Sequence, residues 1–306
     1  MKGQNNNPFS IEVDNKHSSP LSTEWCCMFW TPWIEITQLK KGYLPLLPGI
    51  YRIRPKGKDF LIYLGQTSRT LDHRVRVELS NTYLRSGDEM PFNDPHTAAQ
   101  SLWVWNQSEG WDYECSVAPV PVEGVPVKER RRYLEGIEAF LLWRYHSVMG
   151  ESPLCNHGRF HSDYTRSWNR KTGVRGQCIP DLNSDAGLPS GKPLEKRGKP
   201  MDPDWMGLPW SNWVVLDKTG LAELKNSPSV YRVSDGKEIV YIGQTKQTKS
   251  RMRQHLAKLE SNSLSVSVSY LDDVIPHRML EMENDLIGSF IETQGTLPLL
   301  QFSNSF

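Results

Sequence analysis

The chain has 306 residues, 38% hydrophobic and 23% charged, which supplies two modest packed domains and excludes a wholly disordered chain. Its 36 Lys and Arg against 35 Asp and Glu leave a net charge of +1; this does not announce a nucleic-acid binder, but it leaves room for a local basic groove. The five cysteines are odd in number, Cys26 and Cys27 are adjacent and no CxxC pair occurs, so a disulfide framework and a zinc ribbon are both excluded.

Residues 1–20 open with the polar stretch MKGQNNNPFS, read as a flexible N-terminus without an apolar signal core. No apolar run approaches membrane-spanning length, and a cytoplasmic protein is expected. Trp25, Trp30 and Trp33 follow in the spacing W-x4-W-x2-W, and the alternating IEI comes next. The runs Ile50–Ile53 and Phe60–Tyr63, separated by Pro55, Gly57 and Asp59, predict a hairpin, and Ser68 to Leu79 predicts a helix. In the stretch 91–115, Ser101–Trp105 reads as a strand behind a polar loop. Trp103, Trp105 and Trp111 are base-stacking candidates there or else simple packing, and His96 is a loop histidine able to contact substrate. The basic run 128–132 leads into a helix whose apolar stripe is Leu134, Ile137, Leu141 and Tyr145. Cys155, His157, His161 and Cys178 form an alternative zinc set, with free thiols and surface imidazoles as the expected state. Residues 179–203, rich in Gly and Pro and carrying Lys192, Lys196, Arg197 and Lys199, read as a basic linker: a solvated spacer or a phosphate-tracking strap.

The rest of the chain repeats the first part in order. Trp205, Trp210 and Trp213 restate the tryptophan triplet 180 residues on, PSVYRV (228–233) answers PGIYRI (48–53), and VYIGQT (240–245) answers IYLGQT (62–67). A second hairpin is predicted from Val230–Val233 and Ile239–Tyr241 across Asp235-Gly236, then a helix from Lys246 to Leu259. ENDLI (283–287) answers EAFLL (138–142), and PLLQ (298–301) answers PLCN (153–156). Five ordered blocks imply duplication, with about thirty extra residues in the first copy between 79 and 115. The expected domains are therefore 21–178 and 204–306. Glu138 and Glu283 each fall within or beside the apolar face of a helix, where a lone carboxylate is costly unless a metal, an arginine or hydrogen bonds hold it.

These residues resemble the GIY-YIG nuclease superfamily in tandem, across most of both halves. The first copy carries Gly49-Ile50-Tyr51, Tyr63-Leu64-Gly65, Arg74, Glu138 and Asn156; the second carries Ser229-Val230-Tyr231, Tyr241-Ile242-Gly243, Arg251, His255, Glu283 and Gln301. The resemblance implies an α+β fold, two domains each with a small three-stranded antiparallel sheet flanked by helices. It implies phosphodiester hydrolysis with Mg2+ (or Mn2+) held by Glu138 and Glu283, and the attacked phosphate steadied by Arg74 and Arg251. It also places Tyr51, Tyr63, Tyr231 and Tyr241 beside the attacking water, with one of them serving as general base or positioning it. His255, one helical turn beyond Arg251, matches the family pattern, whereas the first copy has Glu78 there. Gly65, Gln66, His96, Asn156, Gly243 and Gln244 are the expected substrate-side residues, and the longer Gln301 is expected to strain the bond made by Asn156.

The leading expectation is a DNA endonuclease of restriction or phage-defence type, acting on double-stranded DNA with two linked sites and thus able to work as a monomer. Substrate contacts would come from the insertion, the linker and the tryptophan segments. The alternatives are an RNA or structure-specific nuclease, and a nucleic-acid-binding protein with one or both sites inactive.

Overall fold

The computed structural model describes residues 18–179, 189–258, 264–272 and 275–303. Most of the expected flexible N-terminus, positions 180–188 of the expected linker and the last residue of the predicted helix ending at Leu259 lie outside them. The chain divides into two compact units that do not coincide with the sequence repeats. Of the described residues, one unit comprises 18–134, 151–179 and 189–190; the other comprises 135–150, 191–258, 264–272 and 275–303. No helix among the described residues is long and apolar enough to cross a membrane.

The unit holding the first motifs is built on β1 (Ile34–Glu35), β2 (Gly49–Pro55), β3 (Tyr63–Thr67) and β4 (Tyr113–Pro119), ordered β1-β4-β2-β3. All pairings are antiparallel, and the register sets Tyr51 opposite Gly65 and Val117. The sheet thus has four strands rather than the expected three. The extra one is two residues long, pairing Ile34 with Cys115 and Glu35 with Glu114, too short for alternation to announce it. After β3 come α1 (Asp72–Ser80), wound wider than an α-helix, and the single turn α2 (Asn81–Leu84). Because side chains alternate across a strand, Tyr51 and Ile53 face one way, into a core with Val75, Leu79, Cys115 and Val117.

The insertion is helical where a strand was predicted: Ser101–Trp105 lies inside α3 (Ala98–Glu109). Every residue from Ala98 to Val104 is buried, so the helical period is invisible in the sequence and the run SLWVW imitates strand alternation. Gly110 ends the helix at φ 68°, its N–H bonded to the Asn106 carbonyl at 2.8 Å. The insertion's tryptophans pack among themselves and their neighbours, not as an open stacking platform. Trp105 and Trp111 stack at 5.3 Å and 7°, and the indole N–H of Trp103 donates to the Gly87 carbonyl at 2.9 Å.

The second unit repeats the plan: β5 (Val214–Val215), the single turn α5 (Gly220–Glu223), β6 (Ser229–Ser234), β7 (Ile239–Thr245), α6 (Thr248–Lys258), β8 (Ser265–Tyr270) and α7 (Pro276–Gln294), with sheet order β5-β8-β6-β7. The long helix α4 (Val127–Met149) contributes its second half to this unit. There, α4 and α7 approach closely because Gly288 has no side chain; a Cβ on it would lie 2.1 Å from Trp143 Cβ. Arg144 and the Trp143 indole bind the Glu292 carboxylate at 2.5 and 2.9 Å, and His146 meets Asp285 at 2.8 Å. Residues 191–200, expected to be linker, either a solvated spacer or a phosphate-tracking strap, are fastened to the same unit. The Gly191 N–H donates to Glu281 at 2.8 Å, the Leu194 N–H to Asp285 at 3.0 Å, and Lys196 to Glu292 at 2.9 Å.

The opposite face of each sheet carries a device that the sequence contains twice. The residue after the first motif tyrosine, Arg52 or Arg232, is almost fully buried. The guanidinium of Arg52 lies 4.1 Å from the ring of Trp30 and 4.8 Å from Trp33; that of Arg232 lies 4.4 Å from Trp210 and 4.9 Å from Trp213. Arg52 donates to the Pro20 carbonyl and Arg232 to the Pro200 carbonyl. The tryptophan triplets therefore enclose an internal cation instead of presenting rings to a substrate. Burial lowers both guanidinium pKa values, to about 9 for Arg52 and about 10 for Arg232.

Candidate active site

In the second unit the motif residues converge. Tyr231 on β6 and Tyr241 on β7 stack with ring centroids 6.0 Å apart. They can do so because the residue facing Tyr231 across the ladder is Gly243. A Cβ there would sit 2.5 Å from the Tyr231 hydroxyl and 2.8 Å from the Tyr241 ring. Gly65 is the same, its absent Cβ falling 2.6 Å from the Tyr51 hydroxyl. Both glycines lie inside strands, and the close neighbours they make room for are the motif tyrosines.

From α6, Arg251 donates to the Tyr231 hydroxyl at 3.3 Å and also bonds Tyr241; His255 Nε2 lies 2.9 Å from that same Tyr231 oxygen. From α7, Glu283 accepts the backbone N–H of Gln244 and lies within the electrostatic reach of both tyrosines. Burial pushes the Glu283 carboxyl up to about 7, against the Gln244 bond and the Arg251 charge that pull it down. Burial also raises both phenols, Tyr231 strongly, so more positive charge than Arg251 provides is needed before either ionises. Gln244 is half-buried and contributes its backbone to this carboxylate.

Among the described residues no group of three or more His, Cys, Asp or Glu could hold a metal ion by itself. The set fits a different arrangement. Mg2+ is commonly held by one or two carboxylates with water and substrate phosphate completing the shell, and Glu283 is a desolvated carboxylate short of cationic charge. The proposed zinc set is not assembled either: Cys155 is buried and Cys178 exposed.

The first unit reproduces the tyrosine pair with different supports. Tyr51 and Tyr63 stack at 5.9 Å. The histidine is supplied by the insertion: His96 is fully buried, its Nε2 2.7 Å from the Tyr51 hydroxyl and its ring 5.8 Å from both tyrosine centroids. His255 stands 5.6 and 5.5 Å from Tyr231 and Tyr241. His96 is thus the spatial counterpart of His255, not a peripheral loop residue. Glu78, which occupies the histidine's place on the helix, instead pairs with Arg74 at 2.8 Å and Arg69 at 2.7 Å, and its carboxyl lies below the usual range because those partners outweigh burial. Arg74 still bonds Tyr51, so the extra residue before it does not displace it. Gln66 is half-buried on β3, its side-chain oxygen without a hydrogen-bond partner. Glu138 is half-buried on the part of α4 that belongs to the other unit.

Asn156 departs from its expected role at the substrate. Its amide clasps the backbone of Leu64 on both sides, accepting at 3.0 Å and donating at 2.8 Å, and it is buried. Gln301 performs the equivalent task despite its length, accepting from the Ile242 N–H at 3.0 Å. Both residues pin the strand that carries the second motif tyrosine. The role of His96 follows from the chain path and has no short-range sequence signal, whereas the Arg74–Glu78 pair is an i,i+4 contact that helical spacing could have announced.

Compared with known protein families, with curated proteins and with solved structures, the chain matches none of them.

Proposed function

We propose that the protein is a metal-dependent nuclease, a DNA endonuclease in its leading form, with its principal site in the second unit. One observation carries this reading: Glu283, pushed up to about 7 by burial, lies within electrostatic reach of Arg251, which bonds one of a stacked tyrosine pair. That set provides one anionic anchor for a cation and a guanidinium fork for a phosphate. A magnesium ion bound through Glu283 would neutralise charge developing on the phosphoryl oxygens. Arg251 steadies the phosphate and the Tyr231–Tyr241 pair orients the water. His255, bonded to the Tyr231 hydroxyl, is placed to exchange a proton with it. Glu138 is the sequence counterpart of Glu283 in the repeat, EAFLL (138–142) answering ENDLI (283–287).

A second form of the reading is a nuclease with one strong and one weak site. The Arg74–Glu78 ion pair favours it: phosphate must compete with a carboxylate for Arg74, whereas Arg251 bonds the neutral Gln254, at 3.1 Å, and the phenols of Tyr231 and Tyr241. Incubation of supercoiled plasmid with purified protein and Mg2+ tests both forms. Linear product from the wild type, nicked product from Glu138→Gln and from Glu283→Gln, and none from the double variant would support two working sites. Nicking by the wild type, lost only in Glu283→Gln, would support one. No cleavage of plasmid, single-stranded DNA or RNA would defeat the proposal.

A further inference from the structure

Val77 of α1, the first part of the insertion (81–95) and the segment after Cys155 build a cavity of about 490 Å³ in the first unit. Three arginines line it. Arg85 is exposed and makes no ion pair among the described residues. Arg170 is exposed, 4.0 Å from Asp94. Arg175 is fixed by Glu89 at 3.2 Å and lies over the Phe92 ring at 4.2 Å. Pro91, Phe92 and Pro95 supply an apolar wall. A cavity with loose guanidiniums beside a flat apolar surface suits a ligand with an anionic end and a flat end, and a phosphate ion alone would leave most of the volume empty.

The cavity shares a wall with the first site. Pro95 lines it, the Pro95 carbonyl accepts from Arg74 at 3.0 Å, and the next residue, His96, bonds Tyr51. In the second unit the corresponding stretch between helix and strand is positions 259–264, against about thirty residues more in the first.

We propose that this cavity is a nucleotide-binding subsite of the first module. It takes one nucleotide of the substrate strand, with its phosphate on Arg85 and Arg170 and its flat face on the apolar wall of Pro91 and Pro95 beside the Arg175-covered Phe92 ring. This rests on the nuclease reading above. The subsite would make the first module's grip on substrate depend on residues that the second module lacks.

The test uses the full chain carrying Glu138→Gln and Glu283→Gln, so that binding is read without hydrolysis. Anisotropy of a labelled strand of about 20 nucleotides, single or duplex, is followed between roughly 50 and 200 mM salt. Adding Arg85→Ala and Arg170→Ala is expected to weaken binding about tenfold or more and to reduce the salt slope by about 1 to 2. Arg85→Lys with Arg170→Lys should keep most of the slope. Unchanged affinity and slope in the alanine variant would overturn the subsite while leaving the nuclease reading intact if the unmodified chain still cuts plasmid. Arg85-dependent binding of thymidine monophosphate that does not compete with the strand would mark a free-nucleotide site and also overturn it. Failure of the parent chain to bind either strand form, with no plasmid cleavage, would remove both.

Discussion

Replacing Glu283 by Gln should stabilise the metal-free protein at high pH while abolishing hydrolysis at the second site. The carboxyl is displaced from 4.5 to about 7 in the folded chain, a difference of roughly 2.5 units. At 1.36 kcal/mol per unit, holding it ionised above pH 7 costs the fold roughly 3 kcal/mol. The sign follows from proton counting. Between about pH 4.5 and 7 the native state keeps the proton and the unfolded chain does not, so stability falls as pH rises through that window. Gln keeps an oxygen for the Gln244 N–H and carries no charge, so it escapes the cost. Thermal melts of the full chain in EDTA would compare wild type and Glu283→Gln at about pH 5 and about pH 8.5. A double difference of about 5 to 10 °C is expected, at the 2 to 4 °C per kcal/mol of domains this large. Mg2+ or Mn2+ at the higher pH should close the gap by raising the wild type alone. A Gln variant equally or less stable at both pH values would refute the claim that Glu283 is a desolvated carboxylate awaiting a cation.

Gly243→Ala should reduce cleavage by the second site about 100-fold or more, because the new Cβ at 2.5 Å from the Tyr231 hydroxyl displaces the stacked pair; plasmid nicking in a Glu138→Gln background measures it. His96→Phe should destabilise the first unit by about 1 to 3 kcal/mol by removing one of the two bonds to the buried Tyr51 hydroxyl, the other being from Arg74, whereas His96→Gln, which retains a donor, should recover part of that in urea titrations. Arg232→Met should cost about 2 kcal/mol or more by leaving the Pro200 carbonyl buried without its donor and the tryptophan rings without their cation, visible as a lower urea midpoint.

The sequence was most informative where structure is local and repeated. Both hairpins, the helices that follow them and the stripe bearing Glu283 are set by short-range periodicity, and the duplication checks each against its twin. The hidden parts depend on pairing between distant segments. The strand Ile34–Glu35 exists only because Cys115 and Glu114 offer it an edge. The helix holding Ser101 to Trp105 is buried all round and so shows no face. Trp30 and Trp210 looked like substrate contacts because nothing within a few residues reveals the arginine that fills their cage. Asn156 and Gln301 looked unequal by length, yet each reaches the strand it must hold.

The exchange of His96 for the helical histidine alters the proton logic of the first site. The backbone N–H of Ala98 donates to His96 Nδ1 at 3.1 Å, so that nitrogen carries no proton. Burial, aided by the nearby Arg74 charge, holds the ring's pKa well below its ordinary value and keeps it neutral. The single ring proton must then sit on Nε2 and be donated to the Tyr51 hydroxyl, which also accepts from Arg74. A histidine fixed as a donor is unable to take the tyrosine's proton through that nitrogen. What it does is fill an acceptor site on the oxygen, which favours the phenolate over the phenol. With Glu78 holding Arg74 in line and His96 pointing a proton at Tyr51, the proposed nuclease reading would give Tyr51 itself, not His96, the role of proton acceptor in the first module. In the second module Arg251 meets no carboxylate on its own helix, and a cation at Glu283 must supply the charge that the raised phenols need. One duplication has thus reached two electrostatic solutions around the same pair of stacked rings.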